Sequence, residues 1–172
     1  MVIWITGLSG AGKTTLGHAV FGKWQAIAPN TVLVDGDVVR ELFKLDGSPE
    51  LYTLEGRRKV AMRIHELCVW LDSQGINVVC CTISLFGDLH DINRRTFSKY
   101  FEVFIDVPMD VLRRRDNKNL YARAFSGEMP DVVGVDLPFL PPAAPDLHID
   151  NSDDLENFHD LARDVLTAAD VL

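Results

Sequence analysis

The sequence has no uninterrupted apolar run long enough to span a membrane, and basic residues are in the minority. Lys and Arg number 17 against 25 Asp and Glu, which gives a net charge of −8. This surplus of negative charge disfavours a nucleic acid polymer as a partner, because the phosphate backbone is itself an anion. Small phosphorylated molecules need only a local cluster of positive charge. We therefore expect neither a membrane nor a nucleic acid polymer as a partner.

Cysteine is also scarce, since the chain has only Cys68, Cys80 and Cys81. Two of them are adjacent, which excludes an ordinary disulfide between them, and their spacing is wrong for a metal site. We interpret all three as small buried side chains in a reducing compartment. Met1 leads directly into an apolar segment, without the charged region and apolar stretch of a secretory signal. The expected location is the cytoplasm.

The chain is organised around its first turn, where the apolar segment VIWIT is followed by GLSGAGKT. This loop matches G-x-x-x-x-G-K-[ST] at each fixed position. Glycines let the backbone turn so that successive N–H groups face a phosphate, and the following helix adds its positive end. Lys13 can reach the outer phosphates, and the Thr14 hydroxyl can bind Mg²⁺. The residues predicted to bind ATP here are Gly7, Leu8, Ser9, Gly10, Ala11, Gly12, Lys13, Thr14 and Thr15.

Two carboxylates, Asp35 and Asp37, follow the second apolar segment, TVLV. They could position Mg²⁺ and accept a proton from an attacking hydroxyl, although an acidic turn is also common between a strand and a helix. Basic residues gather near residues 57–63 and 113–123, where some can stabilise a migrating phosphoryl group and others form a solvated face. The five histidines show no metal-ligand spacing, and we interpret them as structural.

Apolar segments alternate with helical patterns along the chain, which predicts an α/β fold of one domain over residues 1–172. The strands are predicted at 2–6, 31–34, 77–83, 102–107 and 147–149. Helices are predicted at 38–45, 57–74, 88–99 and 108–115, after one that follows the glycine loop, and a last helix is capped by Asn151 or Ser152. Residues 116–145 lack periodicity and are predicted to form a long loop that closes over a ligand. In a mostly parallel sheet, ligands bind at the carboxyl ends of the strands.

The chain resembles the adenylylsulfate kinase family over nearly its whole length. The stretches that carry the resemblance are WITGLSGAGKTTL, VDGDVVR, ISLF, FEVFIDVP, RRRDNKNLYARAFSGE and GVDLPFLPPAAPDL. The glycine loop is shared by many families, whereas the DGD-x-VR and RD-x-K-x-LY-x-x-A blocks are much more specific. The resemblance implies a P-loop NTPase-type three-layer sandwich with a mobile lid at about residues 116–145. It further implies transfer of the γ-phosphoryl group of MgATP to the ribose 3′-hydroxyl of adenylyl sulfate, and a homodimer.

The resemblance also assigns roles to individual residues. Asp37 corresponds to the base at the 3′-hydroxyl and Asp35 to its neighbour near the metal, while Lys13 and Lys118 stabilise the transferring group. Arg115 belongs to the ATP side, and the expected metal ligands are Thr14 and Asp35. The acceptor nucleotide is expected to contact Asp37, Arg40, Tyr52, Arg57, Ile83, Ser84, Lys118, Leu120 and Val132.

Departures from the family pattern cluster at the acceptor site. The family holds the acceptor adenine between two phenylalanines, and these correspond here to Tyr52 and Val132. One aromatic face is therefore lost, and a base–aromatic stack contributes roughly 1–3 kcal/mol. An expected asparagine is Val60, an expected proline is Leu85, the lid glycine is Asn119, and an expected arginine is Phe125. The ATP half of the pattern is intact, and the acceptor half is altered.

Four interpretations of the function follow from this pattern. Adenylyl sulfate is the default acceptor, while another nucleotide such as cytidine diphosphoramidate is the second, because a smaller base tolerates a one-sided aromatic site. The remote alternatives are a nucleotide-dependent switch and a silent binding module. A GTP-binding switch normally carries NK-x-D, but residues 117–120 read NKNL. The presence of Lys13, Thr14, Asp35, Asp37 and Lys118 disfavours a silent module.

Overall fold

The computed structural model of the chain describes residues 1–116, 119–153 and 157–172. Its centre is a five-stranded sheet in the order β2-β3-β1-β4-β5, in which every neighbouring pair is parallel. The strands are β1 (Val2–Thr6), β2 (Thr31–Asp35), β3 (Asn77–Thr82), β4 (Tyr100–Asp106) and β5 (Leu147–Asp150). The predicted parallel α/β sheet is confirmed.

Helices connect successive strands, as parallel pairing requires. They are α1 (Lys13–Ile27), α2 (Gly36–Leu42), α3 (Leu54–Ser73), α4 (Gly87–Thr96), α5 (Met109–Arg115), α6 (Leu120–Phe125) and α7 (Phe158–Ala168). A single 3₁₀ turn at Pro49–Leu51 precedes α3. The Thr53 side chain accepts a hydrogen bond from Gly56 N and so caps α3, which begins three residues before the prediction.

Alternation along β1 builds two cores, because successive side chains of a strand point to opposite faces. Ile3 and Ile5 belong to a cluster that contains side chains of α1 and α7, whereas Val2 and Trp4 belong to a cluster that contains side chains of α3. All five residues of β1 are buried. The result is a three-layer sandwich with β1 in the middle of the sheet.

All three cysteines are reduced and buried, as the sequence predicts. Burial, the largest cause, raises the pKa of the Cys81 thiol to about 12, so that the thiol stays protonated and unreactive at neutral pH. No helix in the described ranges is long and apolar enough to cross a membrane.

Three further differences from the sequence prediction have a clear physical cause. Helix α2 begins at Gly36 instead of Val38, because the Asp35 carboxylate caps its first turn. The stretch 116–145, predicted as loop, contains α6, whose first turn is capped by the Asp116 carboxylate through Leu120 N. The last helix begins at Phe158 and is capped by the Asn157 side chain. The predicted caps Asn151 and Ser152 lie well before it.

Candidate active site

The carboxyl ends of the strands open into one large cavity of about 900 Å³. Its lining includes Asp35 at the end of β2 and Ser84 just after β3, together with the glycine loop that follows β1. The far walls come from α3 and from the segment after α5. This placement confirms the expectation that the ends of neighbouring parallel strands meet at one edge.

The glycine loop has the geometry of a phosphate cradle. Gly10 and Gly12 adopt left-handed φ angles of 79° and 101°, which L-residues rarely adopt. A Cβ on Gly7 would lie 2.6 Å from the Ile105 carbonyl oxygen, so only glycine lets the loop pass this strand. Helix α1 then begins at Lys13 and is 15 residues long. Its first N–H groups and dipole make this end an anion site.

Two residues that sequence reasoning missed hold the loop from behind. The Tyr121 hydroxyl of α6 donates to Ser9 O at 2.8 Å, and the Asn151 side-chain amide donates to Ala11 O at 2.9 Å. Asn151 is buried and sits just after β5, where it was predicted to cap the last helix. A polar residue directly after a strand, as at Asp35 and Ser84, is the sequence signal that could have revealed it.

Asp35 and Thr14 meet at the floor of the cavity. The Thr14 hydroxyl donates to Asp35 Oδ2 at 2.8 Å, and Asp37 N donates to Asp35 Oδ1 at 2.9 Å. Asp37 therefore lies in the first turn of α2, and it lines the same cavity as Lys13. Lys13 Nζ donates to Leu8 O at 2.7 Å, so the lysine folds back over the loop.

These oxygens fit Mg²⁺, which takes hard oxygen ligands and commonly keeps one or two protein groups beside substrate phosphates. Thr14 Oγ1 and Asp35 Oδ2 are adjacent, and both belong to this class of ligand. Among residues 1–116, 119–153 and 157–172, no group of three or more His, Cys, Asp or Glu side chains forms a cage for a metal. The arrangement suits a metal ion that arrives with a nucleotide.

Arg40, Arg57 and Tyr52 form a positively charged wall of the same cavity. The guanidinium carbons of Arg40 and Arg57 lie 4.8 and 5.5 Å from the centroid of the Tyr52 ring, within cation–π range. Burial lowers the pKa of both arginines, and the positive charge of Arg40 lowers the pKa of Arg57 further. Two partly desolvated cations on one wall favour an anionic ligand.

Arg57 also joins two walls of the cavity. Its Nε donates to Tyr52 O and its Nη2 donates to Asp131 O, both at 2.7 Å. Asp131 has a left-handed φ of 63°, and the Asp136 carboxylate accepts hydrogen bonds from Asp131 N and Val132 N. The segment around Asp131 is therefore tied to α3 through one side chain.

The remaining predicted residues divide between this cavity and its surroundings. Thr15, Ile83, Ser84, Arg115, Leu120 and Val132 all line the cavity, and so do the departures Val60 and Leu85. Gly7, Leu8 and Ala11 shape the loop without lining the cavity. Arg115 Nη2 donates to Asn151 O at 2.8 Å, which joins the end of α5 to the segment after β5. Lys118 lies outside the described residues.

A glycine loop, a helix-borne lysine and a carboxylate–threonine pair at the carboxyl edge of a parallel sheet define a P-loop nucleotide-binding protein. A family model described as adenylylsulphate kinase matches residues 1–150. The chain belongs to this family.

Relatives within the family act on different nucleotides, as their names state. The chain is 39% identical over 151 residues to the cytidine diphosphoramidate kinase of Campylobacter jejuni, covering 88% of this chain and 86% of that one. It is 37% identical over 148 residues to the adenylyl-sulfate kinase of Rippkaea orientalis, covering 86% and 80%. A solved structure of the Mycobacterium tuberculosis APS kinase in complex with AMPPNP and APS superposes with a TM-score of 0.84 and 29% identity, covering 98% and 96%. The chain is thus a nucleotide kinase by family.

Proposed function

We propose that the protein transfers the γ-phosphoryl group of ATP to the ribose 3′-hydroxyl of a small nucleotide. The observation that carries this proposal is the shared cavity, which is lined both by the phosphate cradle with Asp35 and Thr14 and by Arg40, Tyr52 and Arg57. The first set of residues suits a triphosphate and its metal ion, and the second set suits a second anionic nucleotide. The family membership supports the same reaction.

In this mechanism the chain's residues orient the two substrates and move one proton. The glycine-loop N–H groups and Lys13 hold the donor phosphates, and Thr14 and Asp35 would hold Mg²⁺, which would neutralise charge on the phosphate oxygens. Asp37 accepts the proton of the 3′-hydroxyl group while the oxygen of that hydroxyl group forms a bond to the γ-phosphorus. The bond between that phosphorus and the bridging oxygen breaks, and ADP leaves. Lys13 and Lys118 stabilise the charge of the transferring group.

Of the two acceptors that the relatives name, the cavity favours cytidine diphosphoramidate. Tyr52 is the aromatic side chain on the arginine wall, while Val132, at 3% exposure, replaces the second aromatic residue of the family pattern. Val60 is 2% exposed and replaces an amide. A larger purine loses more from a missing stacking face and a missing hydrogen bond than a pyrimidine does. Adenylyl sulfate is the second candidate, because the structural neighbour with a TM-score of 0.84 is a complex with that compound.

The segment after α5 supplies the proposed lid. Helix α6 contacts the loop through Tyr121, and Arg57 joins the segment at Asp131 to α3. Movement of this segment would admit both nucleotides and then exclude water from the transfer. Leu120 and Val132, both on this segment, line the acceptor side.

The test is a panel of ribonucleotide acceptors incubated with ATP labelled on the γ-phosphorus. Cytidine diphosphoramidate is expected to become labelled on its 3′-oxygen with kcat/KM at least about tenfold above that for adenylyl sulfate, which corresponds to a stacking difference of about 1.4 kcal/mol. A preference for adenylyl sulfate would reverse the acceptor assignment. Label on no nucleotide, or on another oxygen, would contradict the reaction itself.

A further inference from the structure

A buried polar network surrounds Glu102 on the α3 and α4 side of the sheet. Glu102 of β4 is only 1% exposed, and its carboxylate accepts hydrogen bonds from His90 Nδ1, Tyr100 OH and Arg94 Nη2. Burial alone would raise the pKa of Glu102. The hydrogen bond and charge of His90, the hydrogen bond of Tyr100 and the charge of Arg94 outweigh burial, so the pKa is lowered. Glu102 is therefore an ionised acceptor.

His90 of α4 stands between two groups that can only accept. Its Nδ1 faces the Glu102 carboxylate, and its Nε2 lies 3.2 Å from the Ser84 carbonyl oxygen. A carbonyl oxygen can only accept, so the contact at 3.2 Å calls for an N–H on His90 Nε2. His90 thus joins the Glu102 carboxylate on one side to the Ser84 carbonyl on the other.

Ser84 needs that support, because its backbone is left-handed at a φ of 50°, an unusual conformation for serine. The Trp4 indole N–H donates to its hydroxyl, and the Thr6 hydroxyl donates to Ile83 O at 2.7 Å. Side chains of β1 and α4 thus hold the turn after β3 through several hydrogen bonds. Ile83, Ser84 and Leu85 of this turn line the cavity.

We propose that His90 is a positioning residue for the acceptor site: its Nε2–H fixes the Ser84 carbonyl and so holds the 83–85 turn in the shape that receives the acceptor. The proposal rests on the proposed function, since it gives these residues a role in nucleotide binding. The donor side rests on β1 and α1, and it has no hydrogen bond to His90 among the described residues. Loss of the hydrogen bond from Nε2–H is therefore expected to weaken binding of the acceptor nucleotide and to leave ATP binding unchanged.

The kinetic test compares His90→Leu with His65→Leu. His65 is a matched control, because both histidines are 6% exposed, and His65 bonds to Asn93 without reaching Ser84. We expect His90→Leu to raise the acceptor KM about tenfold while the ATP KM and kcat change by less than about twofold. His65→Leu should leave the acceptor KM unchanged. An unchanged acceptor KM in His90→Leu, or an equal rise in the ATP KM, would overturn the proposal.

Glu102→Gln is the rescue variant. The glutamine amide can donate to His90 Nδ1 and to the Tyr100 oxygen, while its carbonyl accepts from Arg94, so a neutral imidazole keeps its Nε2–H on Ser84. We expect Glu102→Gln to retain the acceptor KM. A loss as large as that of His90→Leu would show that the buried charge matters instead of the position of Ser84, and would count against the proposal.

A measurement without turnover separates this proposal from the proposed reaction. Two-dimensional ¹H–¹⁵N spectra of the imidazoles should show a proton on Nε2 of His90 both in the wild type and in Glu102→Gln. A wild-type His90 with an unprotonated Nε2 would overturn the inference even if His90→Leu fails to fold. A wild-type protein that labels no nucleotide, with these spectra as expected, would contradict the proposed reaction but not the hydrogen bond from His90 Nε2 to the Ser84 carbonyl.

Discussion

Asp35 divides its two carboxylate oxygens between two neighbouring elements. One oxygen caps α2 through Asp37 N, and the other accepts the Thr14 hydroxyl of α1. Asp35 is 7% exposed, whereas Asp37 in the next turn lies in the cavity without being buried. The two carboxylates thus differ in surroundings, which suits Asp35 to a fixed, metal-side role and Asp37 to proton transfer.

Substitution of Asp37 by asparagine tests the proton-transfer role. We expect Asp37→Asn to lower kcat by about 10²–10⁴ while the affinity for ATP changes little, because general-base catalysis contributes about that factor. Steady-state kinetics with direct ATP binding measures both quantities. Asp46→Asn is the control, since Asp46 is an exposed carboxylate beside the same wall. A kcat within about twofold of wild type would exclude Asp37 as the base.

Lys13→Ala tests the phosphate cradle. Lys13 stands at the first position of α1 and lines the cavity, so its loss removes the positive charge nearest the donor phosphates. We expect ATP turnover to fall below detection while thermal unfolding stays cooperative. Lys23→Ala, on the same helix but bonded to His159, should leave turnover intact. Normal turnover in Lys13→Ala would contradict the role of Lys13 in phosphate binding.

At the scale of elements, α6 links the segment after α5 to the glycine loop. The Tyr121 hydroxyl is bonded to Ser9 O, the residue is 2% exposed, and burial raises the pKa of the phenol to about 12, so it remains a donor. We expect Tyr121→Phe to raise the ATP KM roughly three- to tenfold, which corresponds to the net free energy of one hydrogen bond. Ser126→Ala is the control, because the wild-type Ser126 hydroxyl donates to Arg123 O within the α6 region. Equal ATP KM values in both variants would contradict the link.

The five strands could be predicted from sequence to within one or two residues. Each is a short apolar run between turn residues, and a strand in a parallel sheet that is covered on both faces is apolar throughout. Helix α6 was missed because six residues, LYARAF, are too few to show a helical period. Its start depends on the Asp116 carboxylate, which bonds to Leu120 N and Ala122 N. That cap acts across three to five residues and has no fixed sequence pattern.

The same limit applies to the candidate site. The glycine loop and the carboxylates after β2 were predictable, because their residue types state their chemistry and parallel topology places them at one edge. The contacts of Arg57 with Tyr52 O and Asp131 O were not, since a backbone carbonyl can accept from any residue that reaches it. His90 was interpreted as structural, and only the structure places it on Ser84.

At the scale of the whole molecule, the Glu102 network predicts a pH dependence of stability. The pKa of Glu102 is lowered in the folded protein, so its ionised form stabilises the fold above about pH 4.3, the ordinary pKa of an unfolded glutamate. This contribution is lost as the pH falls through the folded-state pKa. We expect the free energy of unfolding to fall more steeply with acidification in wild type than in Glu102→Gln.

Denaturant titrations between about pH 5 and pH 2.5 measure this difference. Glu128→Gln is the control, because Glu128 is exposed and its substitution should leave the wild-type slope unchanged. Parallel curves for wild type and Glu102→Gln would show that the Glu102 carboxylate contributes no acid sensitivity.

Arg57 spans two parts of the molecule, and this has a consequence for any incoming anion. The guanidinium of Arg57 is already shared between Tyr52 O, just before α3, and Asp131 O in the segment after α6. These two bonds use two of the five N–H groups of the guanidinium, so three remain for an incoming phosphate while both carbonyl contacts persist. Capture and release of an anion at Arg57 therefore do not require that the link between these two segments break.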